Sequence, residues 1–210
     1  MPCTPDLDRL LIAGARFRDG RGEYVIEPHP AGQAVVPTGR VVGCDPLSYP
    51  AQAPPFTVTV PAGTYPLRAW VAVLYQDGAE CDCRVAALQL AVRDEPAMRW
   101  ECAATDGRYP HPAGDAYHGY PVDAGVGTLA DLAAVRALAR WDYDRVEEVY
   151  IPRRPEPPAP EAIGAVTDEQ TAANVIIVES GWGDGVYPTF VGYTAANAVT
   201  SFVTDFGVVP

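Results

Sequence analysis

The segment Ser-Gly-Trp-Gly-Asp-Gly-Val-Tyr-Pro at residues 180–188 holds the most distinctive group of chemically useful residues in the sequence. Three glycines surround Asp184, and glycine readily adopts the positive φ angles that let backbone N–H groups converge. Such a bend could seat an anion or orient Asp184 toward a ligand. A P-loop and a nucleophile elbow are excluded, since no lysine follows and the Gly-x-Ser-x-Gly spacing is absent. The alternative is a tight connection between strands in which Asp184 bonds its own backbone.

Other carboxylates occur in similar settings. Asp45, Asp123 and Asp205 lie in or near turn-like segments, and Glu101 follows a tryptophan. If Asp184 and several of these converged, they would form a paired-carboxylate acid–base site or an oxygen-ligand site for Mg²⁺ or Ca²⁺. A hydrolase of this kind requires two carboxylates within about 5–9 Å of each other in an open pocket. Taken singly, each carboxylate is an ordinary turn or strand-end acceptor.

Aromatic residues flank the same glycines. Trp182 and Tyr187, together with Gly183 and Gly185, are the candidate ligand-binding residues, because two rings could form a stacking platform for a sugar or another flat molecule. Core aromatics of a β-protein would have the same pattern.

Histidine and cysteine patterns give no metal site. The spacing of Cys81 and Cys83 is wrong for a zinc knuckle, and no second Cys/His pair accompanies them. The three histidines, His29, His111 and His118, form no local pattern with a serine or cysteine nucleophile. We therefore predict no metal and no cofactor.

Charge restricts the choice of partners. Fifteen arginines against 27 acidic residues give a net charge of −12, and lysine is absent, which excludes Schiff-base chemistry. Nucleic acid and anionic membranes are disfavoured because phosphate contact needs local positive charge. A basic protein or a cationic ligand would be attracted instead. The oligomeric state is not determined by the sequence.

The same sequence indicates a cytoplasmic protein. It has no basic segment at the start like that of a secretory signal, and no apolar run near the ~20 residues of a membrane helix. An odd number of cysteines without a CxxC pair predicts unpaired thiols in a reducing compartment. These cysteines are Cys3, Cys44, Cys81, Cys83 and Cys102.

Short strands broken by turns must position these side chains. Twenty-two prolines argue against a helical bundle. Residues 56–60 alternate strictly between apolar and polar, which predicts a half-buried antiparallel strand. Residues 67–75 and 84–92 predict a hairpin around Gly78. We expect a mainly β (α+β) fold, an antiparallel β-sandwich or partly open barrel, with two or three short helices. The first of these helices contains Leu7 and Leu10 and has Thr4 as its N-cap.

The second half of the chain predicts one interruption of this pattern within a single domain, residues 1–210. A capping box at residues 128–131 begins a helix that runs to about residue 149, and a Pro-rich, exposed connector follows at 151–160. Residues 128–162 therefore form a helical and Pro-rich excursion. A second capping box at 167–170 begins a short helix, and a three-stranded meander follows at 174–206.

Five segments, at residues 37–47, 60–66, 120–125, 180–188 and 203–206, resemble the bacterial family called domain of unknown function 4241. The hallmark of that family is Gly-Asp-Gly, here Gly183-Asp184-Gly185, and the resemblance spans about residues 35–206. The family has no activity that we can transfer. The resemblance implies only that Asp184, Asp45 and Asp123 are the first positions to inspect.

Three functions fit the sequence. The first is an acidic cytosolic binding protein, for instance one of a bacterial immunity or conflict system that neutralises a basic toxin. The second is a carboxylate-dependent or metal-assisted hydrolase with its site at residues 181–188. The candidate catalytic residues of that hydrolase are Asp184, Asp123, Asp45 and Glu101. The third is a carbohydrate-binding module that uses Trp182 and Tyr187.

Overall fold

The two central strands of the molecule form the predicted hairpin. They are β4 (Gly63–Gln76) and β5 (Ala79–Ala91), paired antiparallel and joined by Asp77 and Gly78. Both joining residues have positive φ, 51° and 81°, as in the turns whose twist matches that of a hairpin. The hairpin prediction is confirmed, and both strands are longer than the sequence indicated.

The structure is a computed structural model, and it describes residues 5–105, 119–151 and 161–210. Thr4, Cys3, His111, His118 and the Pro-rich connector after Ile151 lie outside these ranges. The other elements, in chain order, are α1 (Leu7–Leu10), β1 (Arg16–Asp19), β2 (Gly22–Val36), β3 (Val41–Cys44), β6 (Arg99–Cys102), β7 (Gly119–Val122), β8 (Val126–Asp131), α2 (Leu132–Leu138), α3 (Tyr143–Tyr150), β9 (Ile163–Asp168), β10 (Ala173–Glu179), β11 (Gly185–Tyr193) and β12 (Val199–Asp205).

The strands form two antiparallel sheets. The larger sheet has the order β1-β2-β4-β5-β12-β11-β6, with β7 also paired to β11, and it curls into a half-barrel. The smaller sheet has the order β3-β8-β10-β9. The predicted fold class, a mainly β structure with three short helices, is confirmed.

The small sheet lies between the large sheet and the helices α2 and α3. The main core fills the space between the sheets, where the rings of Phe56 and Phe202 stack with centroids 5.6 Å apart. A second apolar cluster joins the small sheet to α2 and to Tyr150 of α3, whose hydroxyl donates to the carbonyl of Val175. β3 and β8 are consequently buried on both faces.

Helix α1 connects the two ends of the curled sheet. The guanidinium of Arg9 lies 4.5 Å from the ring centroid of Phe17 in β1. The indole Nε1 of Trp100 in β6 donates to Asp8 Oδ1 at 2.8 Å. The N-cap of this helix is Asp6, whose side chain accepts from the backbone N–H of Arg9, so the predicted N-cap Thr4 is wrong. No helix in the described part of the chain is long and apolar enough to cross a membrane.

The first predicted capping box is wrong. Thr128 lies inside β8, and its hydroxyl donates to the carbonyl of Ile176 rather than to a helix N–H. Asp131 is the N-cap of α2 instead, because its side chain accepts from the N–H of Ala133 at 2.7 Å. The predicted single helix is two helices, and the second one, α3, is capped by Asp142.

Two other local predictions are also wrong. Residues 167–170 do not begin a helix, because β9 runs to Asp168, whose carboxylate then accepts from Gln170 N–H and the Thr171 hydroxyl in a turn. Residues 56–60 make only isolated bridges, Arg40 to Thr59 and Phe56 to Thr105. Prolines on both sides of this segment remove the backbone donors that a longer ladder needs.

The predicted C-terminal meander is wrong in its first strand. β11 and β12 pair with each other in the large sheet, whereas β10 pairs with β8 and β9 in the small sheet. The bend between β10 and β11 therefore carries the chain from one sheet to the other.

Candidate functional site

The bend at residues 180–184 is built where the two sheets meet. Gly181 has a φ of +55°, and a Cβ at this position would lie 2.8 Å from the carbonyl oxygen of Phe206. A larger residue would therefore clash with the backbone that follows β12. Ser180 is fully buried, and its backbone N–H donates to the carbonyl of Gly125. The bend thus depends on contacts with two distant segments.

The polar groups inside the bend are directed at carbonyl oxygens. The hydroxyls of Ser180 and Tyr187 both donate to the carbonyl of Gly183, at 2.9 and 2.7 Å. The N–H of Gly183 donates to the carbonyl of Ser180 at 2.9 Å. Because this N–H is already used, Gly183 does not supply a donor to the anion seat that the glycine spacing suggested.

Tyr187 is part of the core. Its side chain is buried, and its ring meets that of Phe206 edge-on, with centroids 5.1 Å apart. Burial raises the pKa of the Tyr187 hydroxyl, and the nearby charge of Asp184 raises it further. A stacking platform made of Trp182 and Tyr187 is therefore not formed, because the ring of Tyr187 has no face at the surface.

Trp182 is the exposed aromatic residue of the bend, with 42% of its surface accessible. The guanidinium carbons of Arg21, in the β1–β2 turn, and Arg84, in β5, lie 4.5 and 5.4 Å from its ring centroid. Such contacts are favourable because the ring face is electronegative. Trp182 thus ties the bend to two hairpins. A sugar could stack on the ring only by competing with these arginines.

Asp123 and Asp184 lie at the same end of the β7–β11 ladder. Gly185 pairs with Val122, so the two aspartates occupy the next position beyond that pair on each strand. Both are exposed, and among the described residues neither side chain has a hydrogen bond or an ion pair. Two unpaired negative charges therefore lie together at one end of this ladder.

Asp45 is buried and fully occupied. One carboxylate oxygen accepts from the N–H groups of Leu47 and Ser48, and the other accepts from those of Asp123 and Ala124. Two of the candidate catalytic residues, Asp45 and Asp123, are thus in contact. The contact is made by the carboxylate of Asp45 and the backbone N–H of Asp123, and the two carboxylates do not meet. Asp45 therefore holds the bend after β7 in place and does not face solvent.

A fourth aspartate, Asp131, was not predicted as important. It is fully buried, caps α2, and accepts from both the backbone N–H and the hydroxyl of Thr38 at 2.8–3.0 Å. The sequence signals for Asp131 were its place as the last residue of the expected capping box at 128–131 and its position directly before a run of helix-forming residues.

The remaining candidates lie elsewhere. Glu101 is on β6 and pairs with Arg99. Asp205 ends β12 and accepts from Gly207 N–H, and burial raises its pKa to about 6. No group of three or more His, Cys, Asp or Glu side chains within the described ranges could hold a metal ion. Asp45, Asp123 and Asp184 are near one another in the fold, but Glu101 is not part of that group.

Comparisons with known proteins give one match. The model of a family described as protein of unknown function, DUF4241, matches residues 34–204, from the last three residues of β2 to the end of β12 but for its final residue. No curated protein and no solved structure matches the chain. Since the match covers most of the sequence, the chain belongs to the DUF4241 family of proteins of unknown function.

Proposed function

We propose that this protein is an acidic, cytosolic binding protein that contacts a basic protein partner through the bend surface. We define the bend surface as Trp182, Val186, Asp123, Asp184 and Arg21. The observation on which the proposal rests is the pair of exposed aspartates, Asp123 and Asp184, which have no partner in the described chain. They lie next to two exposed apolar side chains, Trp182 at 42% and Val186 at 56%.

This combination is typical of a protein interface. Tryptophan and arginine are enriched among the residues that dominate binding energy, and Trp182 with Arg21 supplies both at one point. Charged residues around such a centre act mainly on association rate and specificity. A net charge of −12 extends the attraction for a basic partner beyond the contact itself.

A bacterial immunity or conflict system would be a fitting setting for such a protein. A protein that neutralises a toxin must capture it quickly, and electrostatic attraction increases the association rate by orders of magnitude. The basic toxin would then be the partner of the bend surface.

The rival proposal is a carboxylate-dependent or metal-assisted hydrolase, and its support is weaker. Of the predicted catalytic residues, Asp45 has both oxygens committed to backbone N–H groups, and Glu101 lies with Arg99 on β6. Asp123 and Asp184 are adjacent, but neither lines the pocket beside Phe56, the cavity beside α1 or the pocket at the β1–β2 turn.

Affinity capture tests the binding proposal. The immobilised chain is exposed to a lysate of its own host, and bound proteins are identified by mass spectrometry. We expect a protein with a basic isoelectric point whose capture decreases as salt rises. The variant Asp123→Asn/Asp184→Asn should capture about a tenth or less of the amount of partner that the wild type captures, because both unpaired charges are lost.

The control is Asp144→Asn/Glu148→Gln on α3, which removes the same charge from exposed positions outside the bend surface. It should capture the partner as well as the wild type does. Capture of no macromolecule, or equal capture by both double variants, would contradict the proposal.

A further inference from the structure

A groove lies between α1 and the large sheet. It has a volume of ≈ 460 Å³, within the range of small-molecule sites. Its walls come from α1, β4, β5, β6, β12 and the loop between β5 and β6. The groove shares no residue with the bend surface.

Two arginines with no partner face this groove. Arg68 on β4 and Arg93 after β5 both line it, and among the described residues neither guanidinium has an ion pair or hydrogen bond. Four other arginines of this acidic chain, by contrast, are paired with carboxylates. The acidic residues in the groove wall are Asp8, which accepts from Trp100, and Glu95. Two free guanidiniums in one groove can bind a carboxylate or phosphate in a bidentate manner.

Two indole rings in the groove are held by their own hydrogen bonds. Trp70 Nε1 donates to Gln89 Oε1 at 3.0 Å, and Trp100 Nε1 donates to Asp8 Oδ1 at 2.8 Å. These bonds fix the rings before any ligand arrives, which lowers the entropy cost of binding. The Nε2 group of Gln89 has no partner in the described residues and remains available as a donor.

A buried hydroxyl at the groove lacks a partner. Thr200 is only 2% exposed, lines the groove, and its Oγ1 makes no hydrogen bond. A buried polar atom without a partner costs free energy and is rare in proteins. The backbone of Thr200 is fixed, because its carbonyl accepts from the N–H groups of Val92 and Arg93. A glycine at 192 leaves room for Oγ1, since a Cβ there would lie 2.6 Å from it.

We propose that this groove binds a small organic anion with a planar ring. The anionic group would lie between Arg68 and Arg93, and the ring would pack against the partly exposed indole of Trp100. The shared chemistry is an oxyanion attached to a flat ring, and either a phosphate or a carboxylate supplies it.

Isothermal titration calorimetry on the full chain tests this proposal with two ring-bearing anions, adenosine 5′-monophosphate and indole-3-acetate. We expect at least one to bind with a Kd of about 1 mM or tighter. Adenosine and inorganic phosphate, each carrying half of the required chemistry, should bind at least about tenfold more weakly. The better anion identifies phosphate or carboxylate as the preferred group.

Variants locate the binding. Arg68→Gln and Arg93→Gln should each weaken binding about tenfold or more, whereas Arg136→Gln, an equal charge change at an exposed position of α2, should leave it unchanged. Thr200→Val should raise the urea midpoint of the free protein, because it removes an unpaired buried hydroxyl, and should leave binding unchanged, because that hydroxyl is not accessible from the groove.

Absence of binding by both anions at about 10 mM would overturn the proposal. Binding that survives both arginine variants would also overturn it. Because the groove and the bend surface have no residue in common, failure of this proposal would leave the capture experiment unaffected.

Discussion

Buried aspartates in this protein hold distant segments of chain together. Asp45 joins the turn after β3 to the bend after β7, and Asp131 joins the start of α2 to Thr38. A carboxylate can accept several N–H groups at once, and charge-assisted bonds are stronger than neutral ones. Aspartates in turns of a sequence can therefore fulfil structural roles that, before the fold is known, cannot be separated from catalytic ones.

Asp45→Ala should lower the free energy of unfolding by about 3–5 kcal/mol, because it leaves four N–H groups without their acceptor in a buried site. Urea unfolding followed by circular dichroism measures the change. Asp45→Asn should lose less, since the amide oxygen still accepts. Asp123→Ala is the matched control and should change stability by about 0.5 kcal/mol or less, because its side chain is exposed. Equal losses for Asp45→Ala and Asp123→Ala would disprove the structural role of Asp45.

At the scale of elements, predictions from sequence were right where the signals are local. The β4–β5 hairpin has its turn residues and both strands within one continuous segment, so sequence pattern and pairing coincide. The pairing of β10 depends on β8, which lies far away in sequence, and no local signal distinguishes it from pairing with β11. Likewise, Thr128 looked like a helix cap because its true partner, the carbonyl of Ile176, is distant.

The candidate sites follow the same rule. The bend at 180–188 could be found from sequence because its glycines, Trp182 and Asp184 are contiguous. The arginines that contact Trp182 could not, since they come from the β1–β2 turn and from β5. The groove beside α1 was missed entirely, because its walls are assembled from six separate segments and have no motif.

The bend between β10 and β11 should not tolerate a side chain at Gly181. Gly181→Ala is expected to lower the free energy of unfolding by about 2–4 kcal/mol, from positive φ and from the close Phe206 carbonyl. Gly207→Ala is the control, because Gly207 has a similar φ of +62° but open space around it. Gly207→Ala should lower the free energy of unfolding only by the cost of a positive φ for alanine, about 1–2 kcal/mol. Thermal and urea unfolding compare the two, and an equal loss would show that the sheets do not meet as closely as described.

At the scale of the whole molecule, the family match covers the small sheet and most of the large sheet, but not the first helix or the first strand. The match begins at residue 34, so α1, β1 and most of β2 lie before it. β10 and β11, the strands on either side of the bend, lie inside it. The bend surface is consequently built from matched residues apart from Arg21. The groove takes one of its walls, α1, from the segment before the match.

The charge of the molecule should affect its stability as a whole. A net charge of −12 destabilises the compact state by self-repulsion at pH 7, and added salt screens that repulsion. Raising NaCl from about 0.02 to 0.3 M at pH 7 should therefore increase the free energy of unfolding by about 1 kcal/mol, measured by urea unfolding. Near pH 4.5, the sequence isoelectric point, the same salt change should have little effect, because there is almost no net charge to screen. The pH 4.5 series also subtracts any general effect of NaCl on apolar burial. An equal or larger salt effect at pH 4.5 would mean that self-repulsion does not limit the stability of this fold.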